Sequence, residues 1–100
     1  MPHMACSVMI RSWKDAVTRR FGEEDKGRFP GMDRDKARSR LQLLDAMQSL
    51  DEIPSLASIR LHKLKGGRRN EWAVTIDWPW RVEFAFRDGD VFDVRITDYH

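Results

Sequence analysis

A single cysteine, Cys6, in one hundred residues excludes an internal disulfide framework and any cysteine-based zinc site. The three histidines, His3, His62 and His100, show no ligand spacing, so no metal is expected. There is no Walker loop, no HExxH, no nucleophile elbow and no dinucleotide glycine pattern. Long hydrophobic runs are missing as well. The N-terminal stretch MPHMACSVMIRSW is too briefly apolar for a signal peptide, and no later segment is long enough to span a bilayer. A reducing cytoplasm is the expected location. Met4 and Met9 are alternative starts, and residues 1–8 read equally well as a flexible extension or as part of the fold.

What remains is one domain's worth of chain, with 41% hydrophobic residues and therefore material for a modest core. The formal net charge is only +2, so composition argues weakly for a nucleic-acid partner. The 34% of charged residues must instead be sorted into patches.

Val8 to Trp13 is apolar enough for a short first strand. Lys14 to Phe21 fits one or two helical turns, with Ala16, Val17 and Phe21 expected inward. Gly22 to Gly31 is charged, contains Pro30 and reads as a loop. Asp33 to Leu50 is the clearest helix: Asp33 suits an N-cap, and Ala37, Leu41, Leu44, Met47 and Leu50 recur on one face. Arg34, Arg38 and Gln42 fall elsewhere and are expected in solvent.

Beyond Pro54 the period changes to two. Ile59 to Leu64 is an expected strand, followed by a turn at Lys65-Gly66-Gly67. In Glu71 to Asp77, Trp72, Val74 and Ile76 alternate with polar or small residues. In Arg81 to Phe86, Val82, Phe84 and Phe86 do the same. Asp88-Gly89 is a strong hairpin signal. From Val91 onward, Phe92, Val94 and Ile96 are expected on one side, with Asp93, Arg95 and Thr97 on the other. The expected fold is α+β: a small antiparallel sheet with one buried face, which the amphipathic helix can cover.

Strand parity puts Arg81, Arg95 and Tyr99 on the uncovered face. The basic run Arg60, His62, Lys63, Lys65, Arg68 and Arg69 enters beside them, which suits an anionic polymer. Trp78 and Trp80 sit at the same turn, either to stack on bases or simply to pack. Structural readings compete at each position. Lys65 fits a solvated turn, Arg81 fits an ion pair with Glu83 or Asp93, and a terminal His100 is prone to fraying.

The combination LHKLKGGRRNEWAVTI, WRVEFAF and a chain ending in ITDYH resembles the HigB branch of the RelE-like toxins, together with MIRSW and the helix RLQLLDAMQSL. The resemblance covers about nine tenths of the chain and favours Met9 as the ancestral start. It implies a curved antiparallel sheet with two helices from the N-terminal half packed on one face and a catalytic groove on the other. It also implies a toxin of a type II toxin–antitoxin pair that cuts translated mRNA on the ribosome, with no metal and no cofactor. It implies neutralisation by a cognate HigA-like helix-turn-helix antitoxin, and contact with operator DNA only through that antitoxin. In such enzymes the 2′-hydroxyl attacks the adjacent phosphorus and leaves a cyclic phosphate and a free 5′-hydroxyl.

Matched to the family's motif, Lys65, Arg68 and Arg81 would neutralise the phosphate. His100 and Asp98 would transfer or orient protons, and Tyr99 would contact the substrate. His62, Arg95 and Trp80 would assist binding. An imidazole suits the acid, because its ordinary pKa lies near about 6.5. Asp77, Pro79 and Gly67 depart from common family residues, which leaves base preference open. A non-catalytic RNA- or ribosome-binding module on the same scaffold is the alternative.

Overall fold

The computed structural model describes residues 10–66 and 70–98. Helix α1 spans Ala16–Glu24 and α2 spans Arg34–Ala46. Four strands follow: β1 His62–Lys63, β2 Glu71–Asp77, β3 Trp80–Arg87 and β4 Asp90–Asp98. They form one sheet in the order β1-β2-β3-β4, every neighbouring pair antiparallel. The α+β expectation holds, with α2 against β2 and β3 and α1 against β4.

Both helices start on an aspartate. Asp15 accepts from the Thr18 backbone N–H and Asp33 from that of Lys36, each satisfying a first-turn donor that the helix cannot. The inward face of α1 differs from the expected one. Thr18 and Phe21 are buried, whereas Ala16 and Val17 face solvent. The Thr18 hydroxyl repays its burial by accepting from the Ile96 N–H at 3.0 Å, which ties α1 to β4. The helix also runs past Gly22, expected in a loop, as far as Glu24. A Cβ at Gly22 would lie 2.3 Å from the Trp13 ring, so the indole occupies the space that any other residue would need.

Helix α2 is shorter than its apolar stripe. Met47 is extended, and a 3₁₀ turn at Leu50–Glu52 follows, with the Ser49 hydroxyl accepting from Asp51 and the Glu52 carboxylate from Gln48. Capping side chains offer the backbone an alternative to the helix. Arg34 and Arg38 are only half solvated: each guanidinium lies over the Phe21 ring and pairs with Asp25.

The expected strand at Val8 to Trp13 is reduced, within the described residues, to two parallel bridges, Ile10 with Val91 and Trp13 with Val94. The strand expected over Ile59 to Leu64 shrinks to two residues, because Arg60 takes a left-handed φ of 50°. The β3–β4 hairpin is as expected: Asp88 and Gly89 both have positive φ, as a primed two-residue turn requires.

One register shift rearranges β4. Glu83 pairs with Arg95 but Ala85 pairs with Phe92, so β4 carries one extra residue there. Asp93 stands at φ 54°, its N–H donating to the Ser12 hydroxyl at 2.9 Å. Val91, Val94 and Ile96 therefore share the buried face, and Phe92, expected with them, turns to the other side beneath the Arg87 guanidinium. The core joins Phe21, Leu41, Leu44 and Met47 to Val74, Ile76, Val82, Phe84, Val91, Val94 and Ile96.

Candidate active site on the uncovered face

Alternation along β3 sends Val82 and Phe84 toward the helices and Arg81 and Glu83 the other way. Register then fixes the neighbours. Arg81 stands between Thr75 of β2 and Thr97 of β4, and Glu83 stands between Ala73 and Arg95. His62 of β1 pairs with Ala73, which puts it on the same face. Asp98 closes β4 opposite Trp80, one step beyond the Arg81 level.

Arg81 is well ordered by its surroundings. Its side chain is 17% exposed, and Nη2 donates to Glu83 Oε2 at 2.5 Å. The Glu83 side chain is 5% exposed, so the carboxylate spends its desolvation on holding this guanidinium. A charged donor fixed before substrate arrives needs little reorganisation when negative charge develops nearby. The pairing of Arg81 with Glu83, offered by the sequence as a competing structural reading, is real. It orients a cation that still reaches solvent.

His62 is positioned by its own chain. Its Nδ1 lies 3.1 Å from the Arg60 carbonyl oxygen. A carbonyl can only accept, so this contact places a proton on Nδ1 and leaves Nε2 as the accepting nitrogen of the neutral ring.

The expected site residues are not all brought together. His62 and Arg81 share the uncovered face, with His62 opposite Ala73, two residues along β2 from Thr75, the neighbour of Arg81. Asp98, expected beside them, is paired with Trp80 and has the parity of Ile96, so alternation sends it to the helix side. Lys65 is exposed in the β1–β2 loop, beyond the level of Glu71, since the Leu64 N–H donates to the Glu71 carbonyl. Arg81 is level with Thr75, four residues further along β2, roughly 13 Å at the usual rise of a strand. Arg95 is half exposed and leans toward Asp15, with Nε 3.8 Å from Oδ2. Trp80 requires a correction. It turns to the helix side, donates from Nε1 to the Pro30 carbonyl at 3.2 Å and meets Phe29 edge to face, so it packs rather than presents a ring to substrate. Arg68, Tyr99 and His100 lie outside the described residues.

Arg40 escaped the sequence reading. It is 8% exposed, and its Nε donates to the Thr75 carbonyl at 2.7 Å while Nη2 donates to the Ser58 carbonyl at 3.0 Å. Burial lowers its pKa from the ordinary arginine value. The guanidinium thus stitches α2 to the strand that flanks Arg81. A signal was present: position 40 lies three after Ala37 and four before Leu44, on the apolar stripe.

Residues 11–100 match the family described as RelE-like toxin of type II toxin–antitoxin system HigB. The endoribonuclease HigB of Proteus vulgaris is 32% identical over 93 residues, covering 92% of this chain and all of the relative.

Proposed function

The chain belongs to the HigB family of RelE-like toxins of type II toxin–antitoxin systems, and from that premise we propose that it is an endoribonuclease that cuts translated mRNA on the ribosome. The observation that carries the reading is Arg81 on the uncovered face, held by the buried Glu83 carboxylate while still reaching solvent, with His62 on the same face. The activity named for the Proteus vulgaris relative supports it.

Backbone cleavage without an external nucleophile needs three things. A base removes the 2′-hydroxyl proton, the oxygen attacks the adjacent phosphorus, and an acid protonates the departing 5′-oxygen. His62 suits the base, since Nε2 is its accepting nitrogen. Arg81 stabilises the phosphorane-like charge, with Lys65 and Arg68 attracting the strand. His100 serves as the acid, oriented by Asp98, and Tyr99 contacts the substrate beside it. Proton transfer of this kind contributes about 10²–10⁴-fold, and fixed charge stabilisation contributes comparably. The chemistry calls for no metal and no cofactor. Ribosome dependence follows from economy of parts: the ribosome positions the mRNA, so the small enzyme need not.

The proposed partner is a HigA-type helix-turn-helix antitoxin that neutralises the toxin in the cytoplasm and carries it to operator DNA. The deciding experiment incubates purified protein with mRNA in the presence and absence of translating ribosomes. Cleavage with ribosomes only, ending in 5′-hydroxyl fragments, is the expected result. Equal cutting of naked RNA would overturn ribosome dependence. Growth arrest that persists in Arg81→Ala and His100→Ala without cleavage would favour a non-catalytic ribosome binder.

A further inference from the structure

Tryptophan stabilises a fold by burying its ring. Trp13, Trp72 and Trp80 do so, each partly buried against the core. Trp78 does not: it is 75% exposed, the highest value among the exposed large apolar residues Val17, Leu56 and Trp78. It stands on the turn between β2 and β3, followed by Pro79, whose ring restricts the backbone there.

A cleft of about 440 Å³ opens beside it, lined by Ala57, Arg60, His62, Thr75 and Trp78. Its lining combines an aromatic plate, a guanidinium, an imidazole and a hydroxyl. Thr75 pairs with Arg81 across the β2–β3 ladder, so the cleft adjoins the proposed phosphate position. Its frame is braced from below. Arg40 donates to the carbonyls of both Ser58 and Thr75, and the Thr75 N–H donates to the Ile59 carbonyl at 2.6 Å.

We propose that this cleft is a nucleobase subsite, in which a base next to the scissile phosphate stacks on the Trp78 indole. The inference rests on the endoribonuclease reading and extends it by naming a residue that grips a base. Stacking is favoured over capture of an apolar protein side chain because the cleft carries the Arg60 guanidinium beside the polar imidazole of His62. The cleft also reaches Thr75, the ladder neighbour of Arg81. A base arrives tethered to phosphates, which these groups attract; an apolar side chain gains nothing from them. Because every base has a π face, the subsite adds affinity with only modest base preference. Trp78 acts as a binding residue and takes no part in proton transfer.

The test measures binding of a short 2′-O-methyl RNA, which cannot be cut, by fluorescence anisotropy across a salt series. Trp78→Ala should weaken binding about tenfold, the usual loss for one stacked base. Trp78→Phe should stay within about threefold, since a π face is retained. The salt dependence should be unchanged in both, because no phosphate contact is removed. An oligonucleotide with an abasic residue at the stacked position should bind wild type and Trp78→Ala alike. Wild-type affinity in Trp78→Ala, or no RNA binding by wild type, would overturn the subsite. So would unchanged RNA binding in Trp78→Ala with loss of a co-expressed antitoxin, which would make the cleft a protein-docking surface. Trp78-dependent binding by a protein that cuts no RNA, with or without ribosomes, would sink the endoribonuclease reading and leave the subsite standing.

Discussion

The two faces of the sheet use the same strands for opposite purposes. On the helix side, Val74, Val82, Phe84, Val94 and Ile96 are interchangeable in kind: each contributes area removed from water, and neighbours of similar volume would serve. On the uncovered side, Arg81, Glu83 and His62 are specific in kind: Arg81 and Glu83 are held to each other, and His62 to the Arg60 carbonyl, through one or two named atoms. The difference separates what holds the fold from what does the work. Loss of packing should cost stability first. Loss of an uncovered-face charge should cost activity even where stability is restored.

The largest expected effect comes from the packed side. Phe84→Ala should destabilise the protein by about 3–5 kcal/mol, the usual result for an aromatic core truncation, read by denaturant unfolding. Cleavage by the fraction that remains folded should be near normal, and a specific loss of turnover would blur the division between the faces. Arg81→Ala comes next. Cleavage should fall about 10²–10³-fold, and stability should also drop, because Glu83 is left buried without the guanidinium that holds it. The double variant Arg81→Ala/Glu83→Ala sharpens the comparison. Removing both partners should recover most of the stability and none of the cleavage. Recovery of both would mean that Arg81 is only structural. The smallest effect is expected at Arg34, on the outer surface of α2. Arg34→Ala should cost about 1 kcal/mol of stability, through the lost contact with the Phe21 ring and Asp25, and cleavage rate should be unchanged. A large loss of cleavage there would place RNA contacts on the wrong side of the molecule.

Much of this was legible in the residues. The hairpin at Asp88-Gly89, the Asp33 cap and the uncovered placement of Arg81 and Arg95 all follow from local rules of spacing and parity. Phe92 was not legible, because its side is set by the bulge at Asp93. That bulge is secured by the hydroxyl of Ser12, a residue 81 positions away. The inward face of α1 was missed for a related reason. Thr18 is polar by composition and is buried only because the Ile96 N–H needs an acceptor. Trp80 and Trp78 look alike in the chain, two positions apart. Parity and the Pro30 carbonyl draw one into packing, while the turn leaves the other in solvent.

By itself, then, the sequence determined the kinds of element, the hairpin, the sign of the uncovered face and the family resemblance, since these depend on neighbours a few positions apart. Only the tertiary structure decided which charges share one end of the sheet. Register and bulges set this: they separate Lys65 from Arg81, put His62 on the face of Arg81 and pair Asp98 with Trp80. They are fixed by hydrogen bonds and packing between residues far apart in the chain.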